Sequence, residues 1–545
     1  MEADDVPAGV RQMEAIIAVW TMKWMVAAYI LITFIAFVNS LHQNMNNTLN
    51  PFVTSAFYKH SLTPMTNQVA QIVSGVSKLP LAMFINICGR PHGFAICLFC
   101  VVIALIMMAL CQNVETYAAA QVFYWTGING MTYVIDIFIA DTSLLKNRLI
   151  WFGIVGSPYI CNTFASPKTA EAFIERSTWR WAYGSFAIIT PFLCIPFWGI
   201  FWFMNKKATN LGIVKKPRNG RTFWQSFKHW FIEFDVIGLV LICAGFIVFL
   251  LPFSLATNLQ YSWESPTIIS MIMIGFVLLV FFGAWEYYMA TKTFFPFYLM
   301  KNRSIVAACL LGFHAWLAFY SYKSMYLSYL QVVFDLSISN AGYILNIYNL
   351  VSATWAIIIS LIFRWVDTYR WAAFIAVPVQ IAMAGCLVKF RHPGTSVGLL
   401  VMVEVFYAMG AAVVVQIESV AVMATVPHQN MATGLALLFM MTSLGGAFGQ
   451  AISGAIWTNV VLKKLTMYLP EDKKHLAPSI YGNLNTQMSF KMGSPEREAT
   501  IAAFGDAQKI MAVVAVCSLV PCLAWVFMLK NIRLSDHRRT AGLQA

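Results

Sequence analysis

From Met25 to Leu529 the chain carries about fourteen apolar stretches, most of them about twenty residues long, and each can cross a bilayer core of roughly 30 Å as a helix. Charge is scarce in the same way: 11% of the residues are charged, 59% are hydrophobic and the mean hydropathy is +0.68. A soluble domain carries about 25% charged residues, so the expected fold class is an all-α polytopic membrane protein. Spans of this number within 545 residues leave only short connectors and three longer polar segments. That leaves no room for a separate catalytic domain. No phosphate-cradling Walker loop and no zinc-protease helix occurs, which argues against an enzyme and against an ATP-driven pump. The eleven cysteines stand singly, several within apolar runs (Cys97, Cys100, Cys243, Cys309, Cys386), as buried small hydrophobes do. With none paired at metal-ligand spacing, neither a metal site nor a cofactor is expected. The formal charge of +13 is explained by membrane topology rather than by a nucleic-acid partner.

Residues 1–23, with Glu2, Asp4 and Asp5, lack the basic start of a cleavable signal and read as a short cytoplasmic tail. Residues 24–204 hold six spans, 205–235 a basic linker, 236–304 two inserted spans, 305–529 six more, and 530–545 a second cytoplasmic tail. An even number of spans puts both termini on one side. Placing them in the cytoplasm gathers Arg90, Lys146, Arg148, the basic run from Lys206 to Lys228, Arg538 and Arg539 inside, as the positive-inside rule requires. In the linker, Phe223, Trp224, Phe227, Phe231 and Phe234 recur at helical spacing, which suits an interfacial helix or, equally, an aromatic belt ahead of the next span. The connector 459–507 then lies outside, and its prolines and glycines argue against one continuous helix. The first span, 24–42, ends before Asn46, so the sequon Asn46-Asn47-Thr48 falls on the outer face as a glycosylation acceptor.

An ionisable group inside a span is expensive, so each one is a candidate for ion or solute passage. Asp136 is the deeper acid of the fourth span (115–139) and the first choice for a proton-carrying carboxylate. Asp141, five residues on and about 140° around the helix, reads as the partner of Arg148 or as a helix cap. In the twelfth span (397–418), Glu404 lies near the outer end, placed to snorkel into water, and Glu418 near the inner end, where His428 could join it in a cytoplasmic cluster. An imidazole suits a proton relay, so His314 in the ninth span is a candidate for one, or is simply satisfied by its own helix. Lys78, just before Pro80, is in reach of Asp136 or Asp141. Tyr133, Tyr159, Tyr320, Tyr322, Asn346 and Asn349 are candidates to hold a bulky solute, or to hydrogen-bond between helices. Gly445, Gly449, Ser453 and Gly454 bring small residues onto closely spaced faces of the thirteenth span, first of all for packing.

The runs "FINICGRPHGF", "WRWAYGSFAIITPF" and "IADTSLLKNR" resemble the fourteen-span branch of the major facilitator superfamily. Within it, "TSAFYKHSL", "IVSGVSKLPLA", "QIESVAVMATVPHQNMATGLAL", "GGAFGQAISGAIWTN" and "YGNLNTQMSFKMGSPEREATIAAFGDAQKIM" are similar to the fungal siderophore-iron transporters, across nearly the whole chain. The resemblance implies two six-helix bundles related by a pseudo-two-fold axis, with two inserted helices and a substrate site at the midplane. It also implies a proton-coupled importer of ferric chelates, acting as a monomer in the plasma membrane or in an endosomal or vacuolar one, with Gly89 and Arg90 in the conformational-gating motif. The chain departs from the pattern in three places. Asn86 stands where that motif usually has an acid, Phe504 where the outer loop is expected to have tyrosine, and the antiporter signature of span five is reduced to Gly153, Gly156 and Pro158. The rivals are an exchanger or exporter of glutathione, haem or drugs on the same scaffold, and a nutrient receptor that does not transport.

Overall fold

The computed structural model describes residues 13, 16, 19, 20–143, 145–211, 223–256, 263–290, 293, 295–427 and 430–533. His428, assigned above to a cytoplasmic cluster, lies outside these residues. The first part of the chain builds α1 (Met22–Ala56), α2 (Thr63–Val76), α3 (Lys78–Cys88), α4 (Arg90–Leu110), α5 (Val114–Thr142), α6 (Leu145–Gly156), α7 (Pro158–Arg176) and α8 (Trp179–Asn210). A short helix, α9 (Phe223–Glu233), leads into the pair α10 (Val236–Leu255) and α11 (Pro266–Ala284). The remainder builds α12 (Arg303–Lys323), α13 (Tyr326–Phe334), α14 (Ile338–Leu345), α15 (Ile347–Val366), α16 (Arg370–Phe390), α17 (Val397–Thr425), α18 (Met431–Ile456) and α19 (Leu462–Tyr468). Beyond these come α20 (Ala477–Gly482), α21 (Leu484–Ser489), α22 (Pro495–Leu519) and α23 (Cys522–Met528).

Among the described residues, twelve helical stretches are long and apolar enough to cross a membrane, where about fourteen were expected. The expected fourth and fifth spans are helical, as α5 and α6–α7, but too polar to qualify by composition. They carry Asn129, Asp136, Asn162, Ser166 and Lys168. The first span also needs correcting. The polar run from His42 to Asn50 does not end the helix, because α1 continues to Ala56 with Asn44, Asn46, Thr48 and Asn50 buried. Those side chains are tolerated because they turn toward other helices and an internal cavity rather than toward lipid.

Several traverses are jointed. Pro80 has no N–H to donate into the preceding turn, and α2 gives way to α3 at Ser77. Pro158 opens α7 directly after α6 in the same manner. Further breaks fall at Ser324 and Met325, between α12 and α13, and at Asn346, between α14 and α15. At the end of α3, Gly89 adopts φ +93°, a left-handed value that suits glycine, so the chain turns at once into α4.

The small residues of α18 set its distance from α12. A Cβ on Gly445 would overlap the carbonyl of Phe313, and one on Gly449 would lie 2.5 Å from the Leu317 carbonyl oxygen. Further out, Gly454 faces Ser254 of α10, whose hydroxyl donates to Gln68 at 2.8 Å. The pair α10–α11 turns an apolar surface outward at Met273, Phe276, Val277 and Val280. Past α19 the chain folds into short helices that cap one end of the molecule. There the buried Arg497 donates to the carbonyls of Gln331, Val332 and Gln487 and pairs with Asp335 at 3.1 Å. The cap also reaches α1: Asn483 donates to the carbonyl of Ser55, and the Leu484 N–H donates to the Ser55 hydroxyl. The final span therefore starts at Pro495, well before the expected 508.

Gly445→Ala is expected to cost about 1–3 kcal/mol through overpacking, read as a lower thermal midpoint of the purified protein. Gly385→Ala, where a Cβ meets open space, should stay within about 0.5 kcal/mol of the parent.

Candidate functional site

Between the two groups of helices lies a cavity of about 530 Å³. Its wall contains eleven carboxamide side chains, on Gln43, Asn44, Asn47, Asn50, Asn67, Gln71, Asn129, Asn346, Asn349, Gln416 and Gln450. Each carboxamide offers both donors and an acceptor, so the wall suits a ligand rich in carbonyl and N–H groups. Interleaved with them are the rings of Trp125, Tyr159, Trp316, Phe319, Tyr320, Tyr348 and Phe439. Lys78, Lys323 and Glu418 are the ionisable groups other than tyrosine in the wall.

Several carboxamides join the two groups of helices directly. Asn349 of α15 donates to Asn44 of α1 at 2.9 Å, and Gln71 of α2 donates to the Tyr320 hydroxyl of α12 at 2.8 Å. Within the first group, the Tyr159 hydroxyl donates to Gln43 at 2.9 Å. The α1 amides are not legible as a cavity wall in the sequence because the run "HQNMNNTLN" reads as a loop by composition. The signal that could have found them is the spacing of Gln43, Asn47 and Asn50, which places them on one helical face.

Contacts join the two helix groups on both sides of the cavity, called inner and outer here by the charge asymmetry of the loops. On the inner side the Tyr133 hydroxyl donates to the Ala432 carbonyl at 2.7 Å, and Arg148 reaches the sulfur of Met431 at 3.1 Å. Arg90 forms an ion pair with Asp141 at 3.1 Å and donates to the Ile85 carbonyl. Asp141 therefore pairs with Arg90 and not with Arg148, whose guanidinium is taken by the carbonyls of Ala140 and Ser143. Asn86 keeps its side-chain oxygen buried without a hydrogen bond. On the outer side Pro167 of α7 packs against Gly342 of α14. Beside them Glu171 accepts from the Ser339 hydroxyl at 2.6 Å, from the Ser339 N–H at 3.3 Å and from Lys168 at 2.7 Å. Burial opposes the charge on Glu171, but the bonds from Lys168 and Ser339 outweigh it and hold its pKa below the ordinary carboxylate value.

The expected site residues divide accordingly. Tyr159, Tyr320, Asn346, Asn349 and Lys78 line the cavity. Tyr133 does not: it belongs to the inner closure. Tyr322 is buried away from the wall against Tyr407, at 5.3 Å between rings. Asp136 is partly buried outside the wall, and its charge is felt by Lys78, whose ammonium lies over the Phe439 ring at 4.8 Å. His314 also stands off the wall, its Nδ1 engaged by the Leu310 carbonyl at 2.8 Å. Glu404 does not snorkel: it is fully buried and pairs with Lys323 at 3.1 Å. Next to this pair Arg391 lies over the Tyr326 ring at 3.8 Å and donates to the Tyr322 carbonyl. Asn46 is not on the outer face. It is 1% exposed within α1, bonded to Gln121 and accepting from the Tyr183 hydroxyl, which leaves no surface for a glycan. Phe504 is buried edge-on against Trp457 at 4.6 Å, inside the cap.

Residues 32–295 match the family model of the major facilitator superfamily. An MFS siderochrome iron transporter of Ajellomyces capsulatus is 43% identical over 540 residues, covering 99% of this chain and 92% of the relative. The chain belongs to the siderophore iron transporters of the major facilitator superfamily. Another member, the siderophore iron transporter mirB of Emericella nidulans, is 37% identical over all of this chain and 90% of its own. Solved structures share the fold at low identity. A bacterial Spinster homologue in an inward-facing, unoccupied conformation has a TM-score of 0.55 at 13% identity, covering 96% of this chain and all of its own. The proton:xylose symporter XylE has 0.52 at 11%, covering 94% and 99%.

Two outcomes follow for this family member. Lys323→Met alone strands the Glu404 carboxylate and should cost about 3–5 kcal/mol, measured by thermal denaturation, whereas Lys323→Met with Glu404→Met recovers most of it. For Glu171 the sign is that of a depressed acid: its contribution to outer closure is present above the ordinary carboxylate pKa and lost as the pH falls through the lowered one. Spin labels at Ala172 and Asn340 should therefore move apart on acidification in that range, and stand apart already at neutral pH in Glu171→Gln. Distances that ignore both changes would remove Glu171 from the closure.

Proposed function

We propose that this protein imports intact ferric siderophores of the hydroxamate type, driven by protons, at the plasma membrane. The observation that carries the reading is the cavity wall. Carboxamides and aromatic faces can bind a neutral, carbonyl-rich shell around a metal ion by hydrogen bonds and stacking. In this scheme the chelate itself brings the iron, and the protein holds its organic surface. The names of the two relatives above, a siderochrome and a siderophore iron transporter, agree with such a cargo.

Contacts between the helix groups at both ends of the cavity suit a carrier that opens one end at a time. A solute or a proton drives such an exchange only by binding one form better than the other. Asp136, whose charge is felt by Lys78 on the inner side, and the Glu404–Lys323 ion pair on the outer side are the groups whose protonation would bias the two forms, with the contacts of Gly89, Arg90 and Asp141 following them. His314, off the cavity wall, is a weaker candidate for this role.

The test is uptake of radio-iron-labelled ferrichrome into proteoliposomes with an imposed pH gradient. Accumulation should require acid on the outer side, gallium-loaded ferrichrome should compete, and free ferric iron should not. Asp136→Asn should lower uptake and proton flux together. Asn47→Ala removes one cavity carboxamide and should weaken binding by about 0.5–1.5 kcal/mol, which is roughly two- to tenfold in Kd. Failure of the parent to bind or move any ferric hydroxamate would overturn the reading.

A further inference from the structure

The described acids in the core of the second helix group differ in one respect. Glu404 has Lys323 at 3.1 Å, whereas Glu418 of α17 forms no ion pair among the described residues. It is 3% exposed, it lines the cavity, and one of its carboxyl oxygens is buried without a hydrogen-bond partner. The site is shaped around that oxygen. Gly312 of α12 faces it so closely that a Cβ there would come within 2.5 Å, and Thr442 of α18 borders the same space. The ionisable groups that feel its charge are Cys309 on α12, Tyr348 on α15 and Cys522 on α23, and none of them is a cation. A carboxylate in this position would be an uncompensated charge in a low-dielectric wall, at a cost of several kcal/mol.

We infer that Glu418 is a proton-binding site of the transport cycle, protonated while the cavity is closed and discharged when water enters from the inner side. The inference rests on the proton-coupled reading above and adds to it a site on the second helix group. The proton leaves as hydronium or on buffer, the carboxylate stays behind, and no other bond changes. Because the group faces the cavity, substrate and proton sense one another there directly. A neutral carboxyl permits the closed form around a neutral chelate, and an ionised one favours a wetted, open form.

The experiment uses full-length protein in proteoliposomes with radio-iron-labelled ferrichrome, reading gradient-driven accumulation and gradient-free exchange separately. Glu418→Gln mimics the protonated acid. It should keep exchange, which needs no net proton movement, and lose accumulation, while Glu418→Asp restores accumulation with a shifted pH profile. Infrared spectra of the purified parent should show a protonated-carboxyl stretch that Glu418→Gln lacks. Undiminished gradient-driven accumulation in Glu418→Gln sinks the inference, as does loss of exchange and accumulation together, or an infrared band that the substitution leaves intact. Absence of any ferrichrome transport by the parent strikes instead at the proposed cargo, and the infrared band then decides the protonation site on its own.

Discussion

The structure depends on the cost of leaving a polar group without a partner where water is absent. A chain this apolar can place helices against lipid with little difficulty. What gives it one arrangement is where the remaining polar side chains find satisfaction. Lys323 and Glu404 neutralise one another, Arg391 lies among the rings and carbonyls of α12 and α13, and Arg497 uses carbonyls that α13 and α21 leave unpaired. The carboxamides of α1, α2 and α15 have two ways to be satisfied, by one another or by something in the cavity. A wall that is internally bonded when closed, yet made of groups able to exchange those bonds for a ligand's, is what a carrier requires.

The apolar periodicity made the fold class and the general order of helices readable, because exposure to lipid demands a run of hydrophobes regardless of partner. It failed where a helix faces inward. The first span was ended at residue 42 because His42 to Asn50 looks like a loop, and only the three-dimensional neighbours, Gln121, Tyr183 and Asn349, make that stretch compatible with a helix core. The same error produced the sequon reading of Asn46. Sequence proximity makes Asp141 a partner of Arg148 or a helix cap, while the actual partner, Arg90, arrives from the turn at Gly89.

Buried charge marks candidates in the sequence but does not rank them. Asp136 is favoured for its depth, His314 for its imidazole and Glu404 for its place near a span end, and none of these says which way a side chain turns. By sequence Glu418 belongs to a cytoplasmic cluster near the inner end of its span, whereas it lies in the cavity wall beside Gly312. No spacing rule connects Glu418 to Gly312 across two helices. Their relation exists only once α17 and α12 pack, and α12 can approach α18 only because of the glycines of α18.

The joints at Ser77, Ser157, Ser324 and Asn346 all fall beside residues that line the cavity, namely Lys78, Gly156, Ser324 and Asn346. A rigid rod pivoting at its midpoint would swing both of its tips, so loosening one vestibule would tighten the other by the same amount. A rod with an elbow at its waist uncouples the two tips. Rods jointed at the waist allow one vestibule to be displaced without an equal displacement of the other, which is the mechanical condition for a carrier to pass through a state sealed at both ends instead of a seesaw between two open ones.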